Sequence, residues 1–350
     1  MHVETAASDE GIYSHPEQHY FTVSIGKMFT SVILANLEEQ GAFSYGDCIA
    51  EHLDADIMRG LHVHKGVDHS QDMTVGQLLN HSSGLHDYFE EGRSIKKMEL
   101  DVLLDGTDRF WTPREIVEYS KATRETQSPP GEGFYYSSTG YHLLGLLIEE
   151  LISIPYHRAL SSYIFRTLGK ERSHLIQYSE PMEGSEHPVA GVFLGDINAI
   201  GYRSLSEEYA AGDVISTSED LLRFTRSFAE RGIVSESALE KMQDWRKLSP
   251  GLDYGYGPMR FRRIPLLMPF ELWGHAGGTG AFMFHNPEDD LHVIGTVQQL
   301  GHHGKALSMA FRALATASKM RRAPLPLLSP RQAIEQNIYR SGDDAPRRRR

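Results

Sequence analysis

The chain is short of several things, and each shortage excludes something. One of its 350 residues is cysteine, Cys48, so no internal disulfide can form. That permits a reducing compartment without proving one. No apolar run approaches the roughly 20 residues that a membrane-spanning helix needs. The most apolar helical stretch, Leu143 to Ile154, is interrupted by Glu149 and Glu150, so no integral membrane segment is expected. Positive charge is scarce as well: 35 basic residues stand against 47 acidic ones, a net charge of −12, and the body of the chain has no basic cluster. A nucleic-acid partner is therefore not expected. The first twenty residues lack the basic and apolar regions of a secretory leader. A cytoplasmic location is the default expectation; an envelope or periplasmic one follows if the chain has lost its beginning.

Metal and phosphate motifs are missing too. His62, His64, His69 and the pair His302-His303 show no His-Glu-x-x-His helix and no Cys/His spacing, so neither a metal centre nor a cofactor is expected. Gly26-Lys27 lacks the upstream glycine and the following Ser/Thr of a phosphate loop.

What is present begins at Tyr20-Phe21-Thr22-Val23-Ser24-Ile25-Gly26-Lys27. An extended segment gives way there to a helix expected over 24–40, with apolar residues at Met28, Phe29, Val32, Ile33 and Leu37 and a stop at Gly41. In its first turn, residues i and i+3 share a face, so Ser24 and Lys27 can meet. A serine beside an amine able to take its proton is an activated nucleophile. Alone, the pair also fits an ordinary surface serine and lysine.

Further along, His62 to Gln71 reads as a loop and Met73 to Asn80 as a helix capped by Thr74. Thr112-Pro113-Arg114-Glu115 opens another helix. Ser128-Pro129-Pro130-Gly131 is a rigid loop leading to Tyr136-Ser137-Ser138, with an apolar helix expected over 141–151. Ala210 to Ser216 reads as a buried turn and short strand, and Thr217 caps a helix over 221–230. After Leu252 the period changes. Strands are expected over 254–261, 270–274, 280–285 and 292–298, then a closing helix over 304–319. The order argues for an α+β fold, an antiparallel sheet flanked by helices with a mostly helical subdomain at about 45–200. The domain is expected to occupy 1–320, and the Pro/Arg-rich tail 321–350 to be poorly ordered.

Five stretches then carry a resemblance: Ser24-Ile25-Gly26-Lys27, Leu78 to Leu85, Pro130 to Gly145, Ala211 to Leu221, and Gly274-His275-Ala276-Gly277-Gly278-Thr279-Gly280. In this order they resemble the serine β-lactamase and penicillin-binding-protein superfamily, in its class C-like branch of D-alanyl-D-alanine carboxypeptidases, D-aminopeptidases and esterases. The resemblance implies a β-lactamase/transpeptidase-like fold and acylation of Ser24. Lys27 would act as base or hold Tyr136 as a phenolate, and Tyr136 would pass the proton to the leaving group and later activate water. The backbone N–H groups of Ser24 and Gly278 would hold the oxyanion beside Gly277. His275 would face the cleft and orient a substrate carboxylate.

Three departures qualify this. Ser138 stands where asparagine usually ends the second motif, which weakens the case for β-lactam or peptide substrates and leaves esters open. His275 stands where β-lactamases usually carry lysine. Only 23 residues precede Ser24, so either the sheet is smaller at that edge or the chain has lost its beginning. The expected function is that of a serine hydrolase acting on a small-molecule or peptide substrate through a peptide, amide or ester carbonyl. The alternatives are a β-lactamase and a penicillin-binding sensor that does not turn over. Oligomeric state is left open.

Overall fold

The computed structural model describes residues 15, 17–88, 108–123, 125–169, 172–264 and 268–322. Gly11-Ile12-Tyr13, whose composition suggests a short strand, and the tail therefore lie outside the described residues, apart from the start of the tail at 321 and 322, which still belongs to the last helix.

Helix α1 (Gly26–Glu39) runs through the middle of the molecule. Its apolar spacing predicts one buried face, yet every residue from Gly26 to Ala35 is buried. The reason is its position: other helices surround it and its residues share one core with Trp273, Ala281 and Met283 of the sheet, so no flank is left for water. Gly41, with φ +74°, ends it as expected. Helix α2 (Val75–Leu79) is capped by Thr74 as expected, and Gln77 completes a capping box that the cap residue alone did not announce. Helix α3 (Pro113–Thr123) begins with Glu115 accepting from both the backbone N–H and the hydroxyl of Thr112.

Helix α4 (Ser138–Ile152) starts three residues earlier than expected. Ser137 is its N-cap, with its hydroxyl accepting from the Gly140 N–H at 3.2 Å. Ser-Ser-Thr-Gly reads as loop by composition, but a capped serine run is also a helix start. The shift places Ser138 in the first turn. Residues 62–71 are likewise a correction: Val63–His64 and Val67–Asp68 form a small exposed hairpin, not an open loop. Its turn, Lys65-Gly66, has φ positive at both residues.

Two antiparallel sheets frame the helices. The smaller has the order β1 (Tyr20–Phe21), β3 (Val214–Ser216), β2 (His174–Leu175). The larger has six strands in sequence order: β4 (Arg246–Ser249), β5 (Leu252–Tyr254), β6 (Met259–Phe261), β7 (Leu272–Ala276), β8 (Phe282–Asn286) and β9 (Leu291–Gly295). Strand β4 is absent from the sequence reading because Arg-Lys-Leu-Ser offers no buried alternation. The single strand expected over 254–261 is two strands, because Gly257 (φ +113°) turns the chain where a Cβ would strike the Ser31 hydroxyl.

The six-stranded sheet is covered on both faces. Trp273 and Met283 point toward the main core, where Phe228 of α6 (Ser218–Ala229) packs on Trp273. Leu272, Phe282 and Phe284 point the other way, onto Ala306, Ala310 and Leu314 of the closing helix His303–Arg322. Strand residues alternate faces, so one strand serves two cores. Between β2 and α6, a short helix α5 (Tyr209–Gly212) leads into β3 and packs on the start of α1.

Candidate active site

The serine lies not in α1 itself but in a short 3-10 turn, Val23–Ile25, that leads into it and is built on strained backbone. Val23, the residue before the serine, has φ +49°. A β-branched residue in that region is a genuine outlier that its surroundings must enforce. They do so by close packing. A Cβ on Gly212 would lie 2.7 Å from the Val23 carbonyl carbon, and one on Gly26 would lie 2.9 Å from the Gly212 Cα. A Cβ on Gly277 would lie 2.6 Å from the Thr22 carbonyl oxygen. Three bare backbones thus meet around Ser24, and only glycine permits it.

Lys27 is fully buried. Its Nζ donates to Ser24 Oγ at 3.2 Å, to Ser138 Oγ at 3.2 Å and to the Ala211 carbonyl at 2.9 Å. It also lies 4.9 Å from the centroid of the Tyr136 ring. Ser24, Ser138 and Ala211 each bond to the Lys27 amine, and the Tyr136 ring lies beside it, so three segments remote in sequence meet around Lys27. The Ser138 N–H donates to Asp87 Oδ1 at 3.1 Å, which pins the start of α4.

The glycines of the third motif divide their work. The Gly277 N–H is spent on the Ala281 carbonyl at 2.8 Å. Gly277 contributes close approach to the nucleophile turn. Gly278 is open: an added Cβ would meet only Leu300, at 3.7 Å.

His275 departs from the expectation of a cleft-facing residue. It is fully buried. Its Nδ1–H donates to the Ala276 carbonyl at 2.9 Å, so its Nε2 accepts from the Tyr254 hydroxyl at 3.0 Å. Burial, and secondarily the Lys27 charge, lower its pKa to about 3. The ring is neutral at neutral pH and holds Tyr254 in place. The reason is local: β7 sits inside the six-stranded sheet, so a side chain on its inner face meets β5 before it meets solvent.

Two residues to which the sequence reading gave no role complete the site. His81, with φ +59°, lies against Tyr136 with ring centroids 4.2 Å apart. Its Nδ1 accepts from the Ser137 N–H at 3.0 Å. Burial, Lys27 and His275 hold its pKa well below the usual range. Tyr254 packs edge-on against His81 and bonds His275. The available signals were His81 closing the Leu78–His81 run and the Tyr-Gly-Tyr-Gly sequence at 254–257, but neither pattern encodes a contact across the fold.

The chain is similar to several known proteins. Over 257 residues the chain is 24% identical to penicillin-binding protein 4* of Bacillus subtilis, covering 67% of this chain and 50% of that protein. Over 280 residues it is 24% identical to penicillin-binding protein 4 of Amycolatopsis lactamdurans, covering 73% of this chain and 65% of that one. The chain thus spans from half to just under two thirds of the length of these curated relatives. A D-stereospecific amidohydrolase from Streptomyces sp. superposes with a TM-score of 0.70 at 26% identity, over 85% of this chain and 87% of that one. The D-amino acid amidase of Ochrobactrum anthropi superposes at 0.71 with 23% identity, over 89% and 90%, a likeness of fold. These structures share the α+β, β-lactamase/transpeptidase-like architecture. Residues 4–318 match the family profile throughout, and the chain belongs to the Beta-lactamase family.

Proposed function

We propose that this chain is a serine hydrolase that forms an acyl-enzyme on Ser24 and acts on a neutral amide or ester carbonyl. The observation that carries this reading is the buried Lys27 amine at 3.2 Å from Ser24 Oγ. Its three partners suit both protonation states. As an ammonium it donates to two hydroxyls and a carbonyl. As a neutral amine it donates to Ser138 and Ala211 and turns its lone pair toward the Ser24 O–H. A base that changes state without losing a partner needs little reorganisation during proton transfer.

In this reading Ser24 attacks the carbonyl while Lys27 takes its proton. The N–H groups of Ser24 and Gly278 receive the oxyanion, and Tyr136 relays the proton to the leaving group. The neutral, internally bonded His275 supplies no cation for a substrate carboxylate. That favours esters and amides over acyl donors with a free carboxylate, and the D-stereospecific amidohydrolase among the structural relatives points to D-amino-acid amides as the first substrates to try.

The test is a fluorophosphonate probe with mass mapping, run beside turnover of p-nitrophenyl acetate, D-amino-acid amides and nitrocefin. Labelling at Ser24 with ester or amide turnover, both lost in Ser24→Ala, is the expected result. Stable labelling without turnover indicates a sensor, and dominant nitrocefin hydrolysis a β-lactamase. No labelling of a folded protein ends the acyl-enzyme reading.

A further inference from the structure

We propose that the hairpin β8–β9 carries a binding site for a zinc-class divalent ion, made by His285, Asp290 and His292. It lies on the last hairpin of the six-stranded sheet and uses none of the residues around Ser24. Each of the three residues offers one ligating atom, and these atoms lie within 4.8 Å of one another.

The hairpin's register creates the trio. His285 and His292 are directly opposed across the two strands, so both imidazoles leave the sheet on the same face. Their rings stack with centroids 4.5 Å apart. Asp290 stands at the end of the turn with φ +49°, a conformation that aspartate tolerates better than most residues. It brings Oδ1 to 3.4 Å from His285 Nε2. That separation is long for a strong hydrogen bond. It matches two ligands of one tetrahedral ion: bonds of about 2.0–2.2 Å place ligand atoms about 3.4 Å apart. With the three ligating atoms within 4.8 Å of one another, the His292 ring must turn for all three to reach one ion.

Two further observations point to an occupant. His285 is 6% exposed and presents Nε2 to Asp290, and the Nδ1 atom of His292 is buried without a hydrogen-bond partner among the described residues. Cross-strand imidazoles packed only as filler have no need of an aspartate held beside them. The turn is also fixed in advance. The Asn286 side chain accepts from the Asp289 N–H at 2.9 Å, and the closing helix holds Asp289 through Ser318 and Arg321. Two imidazoles and one carboxylate are a donor set for zinc, with the fourth position left to water. Arg226 of α6 acts on His292 from the facing helix, and its positive charge moderates the affinity. Since β9 is an edge of the sheet among the described residues, a bound ion would clamp that edge to β8.

Calorimetric titration of the tag-free chain with zinc chloride is the test, with thermal unfolding followed in parallel. One equivalent should bind and raise the melting temperature. His292→Ala should weaken binding at least about 10-fold and abolish the thermal shift. Asp290→Asn, which suits the same turn conformation, should also weaken it and guards against misfolding of the first variant. His187→Ala, in a separate trio with His15 and Glu17, should change nothing. No binding by the wild-type chain, binding untouched in both hairpin variants, or binding lost in His187→Ala would overturn the proposal.

Discussion

In the proposed reading Lys27 is the residue on which the chemistry turns, and the hydrogen bonds it makes to Ser24, Ser138 and Ala211 reach three separate elements. If Lys27 is the proposed proton acceptor, replacing it with alanine leaves Ser24 unactivated. Acylation by the fluorophosphonate probe is expected to fall by about 10³-fold or more in Lys27→Ala, read as the rate of label incorporation. Tyr254 plays a different part. Its hydroxyl satisfies a fully buried imidazole nitrogen. Tyr254→Phe keeps the packing and strands His275 Nε2, so stability should drop by about 1–3 kcal/mol in urea unfolding. The serine and the lysine were legible because three residues of helix bring them together. The bond between Tyr254 and His275 was not, since it links strands β5 and β7, separated in the sheet by β6.

At the scale of elements, the site is a meeting of termini. The start of α1, the start of α4 and the end of β7 converge, and close contacts at glycine hold them together. Gly277→Ala would set a methyl group 2.6 Å from the Thr22 carbonyl oxygen and 3.0 Å from the Val23 Cβ, both on rigid backbone. The strand must move away from the nucleophile turn. A displacement near 1 Å costs about 100-fold in rate, so this variant should retain its circular dichroism and lose roughly that much turnover. The capping box of α2 is a local device by comparison. Thr74→Ala should lower stability by about 1 kcal/mol and leave turnover unchanged, as urea midpoints and initial rates would show. Caps of this kind were readable from Thr74 and from Thr-Pro-x-Glu at 112–115, though not the answering bond from Gln77. The start of α4 was misplaced because composition alone does not say which serine of Tyr-Ser-Ser-Thr caps.

Across the whole molecule, buried neutral histidines make the fold sensitive to acid. Burial lowers His142 and His275 to about 3 and holds His81 well below the usual range. In the unfolded chain such groups titrate near pH 6.5. Below that pH the unfolded state binds more protons than the native state, so stability falls as pH falls. The contribution is fully present above about pH 6.5 and is lost on the way down to about pH 3. Each such histidine removes about 1.4 kcal/mol per pH unit in that window. Asp213 acts in the opposite sense, because burial and then Glu208 and Glu207 raise its pKa and its penalty grows as pH rises. The three histidines outweigh it. The urea midpoint should therefore decline steeply from pH 6 to pH 4, and a flat profile would contradict these burials.

By itself the amino-acid order determined the local matters: that a helix follows Ser24, that Ser24 and Lys27 share a face, where Thr74, Thr112 and Thr217 cap helices, and that the last third of the chain alternates into strands. These follow from backbone geometry and hydrogen bonding within a few residues, which neighbouring side chains set. Tertiary structure alone decided that α1 is buried on all sides, that Val23 is held in a strained conformation, that His275 turns inward to Tyr254, and that His285 and His292 stand opposite each other beside Asp290. Each of these depends on contacts between segments brought together by packing. No periodicity along the chain records which backbone lies 3 Å away.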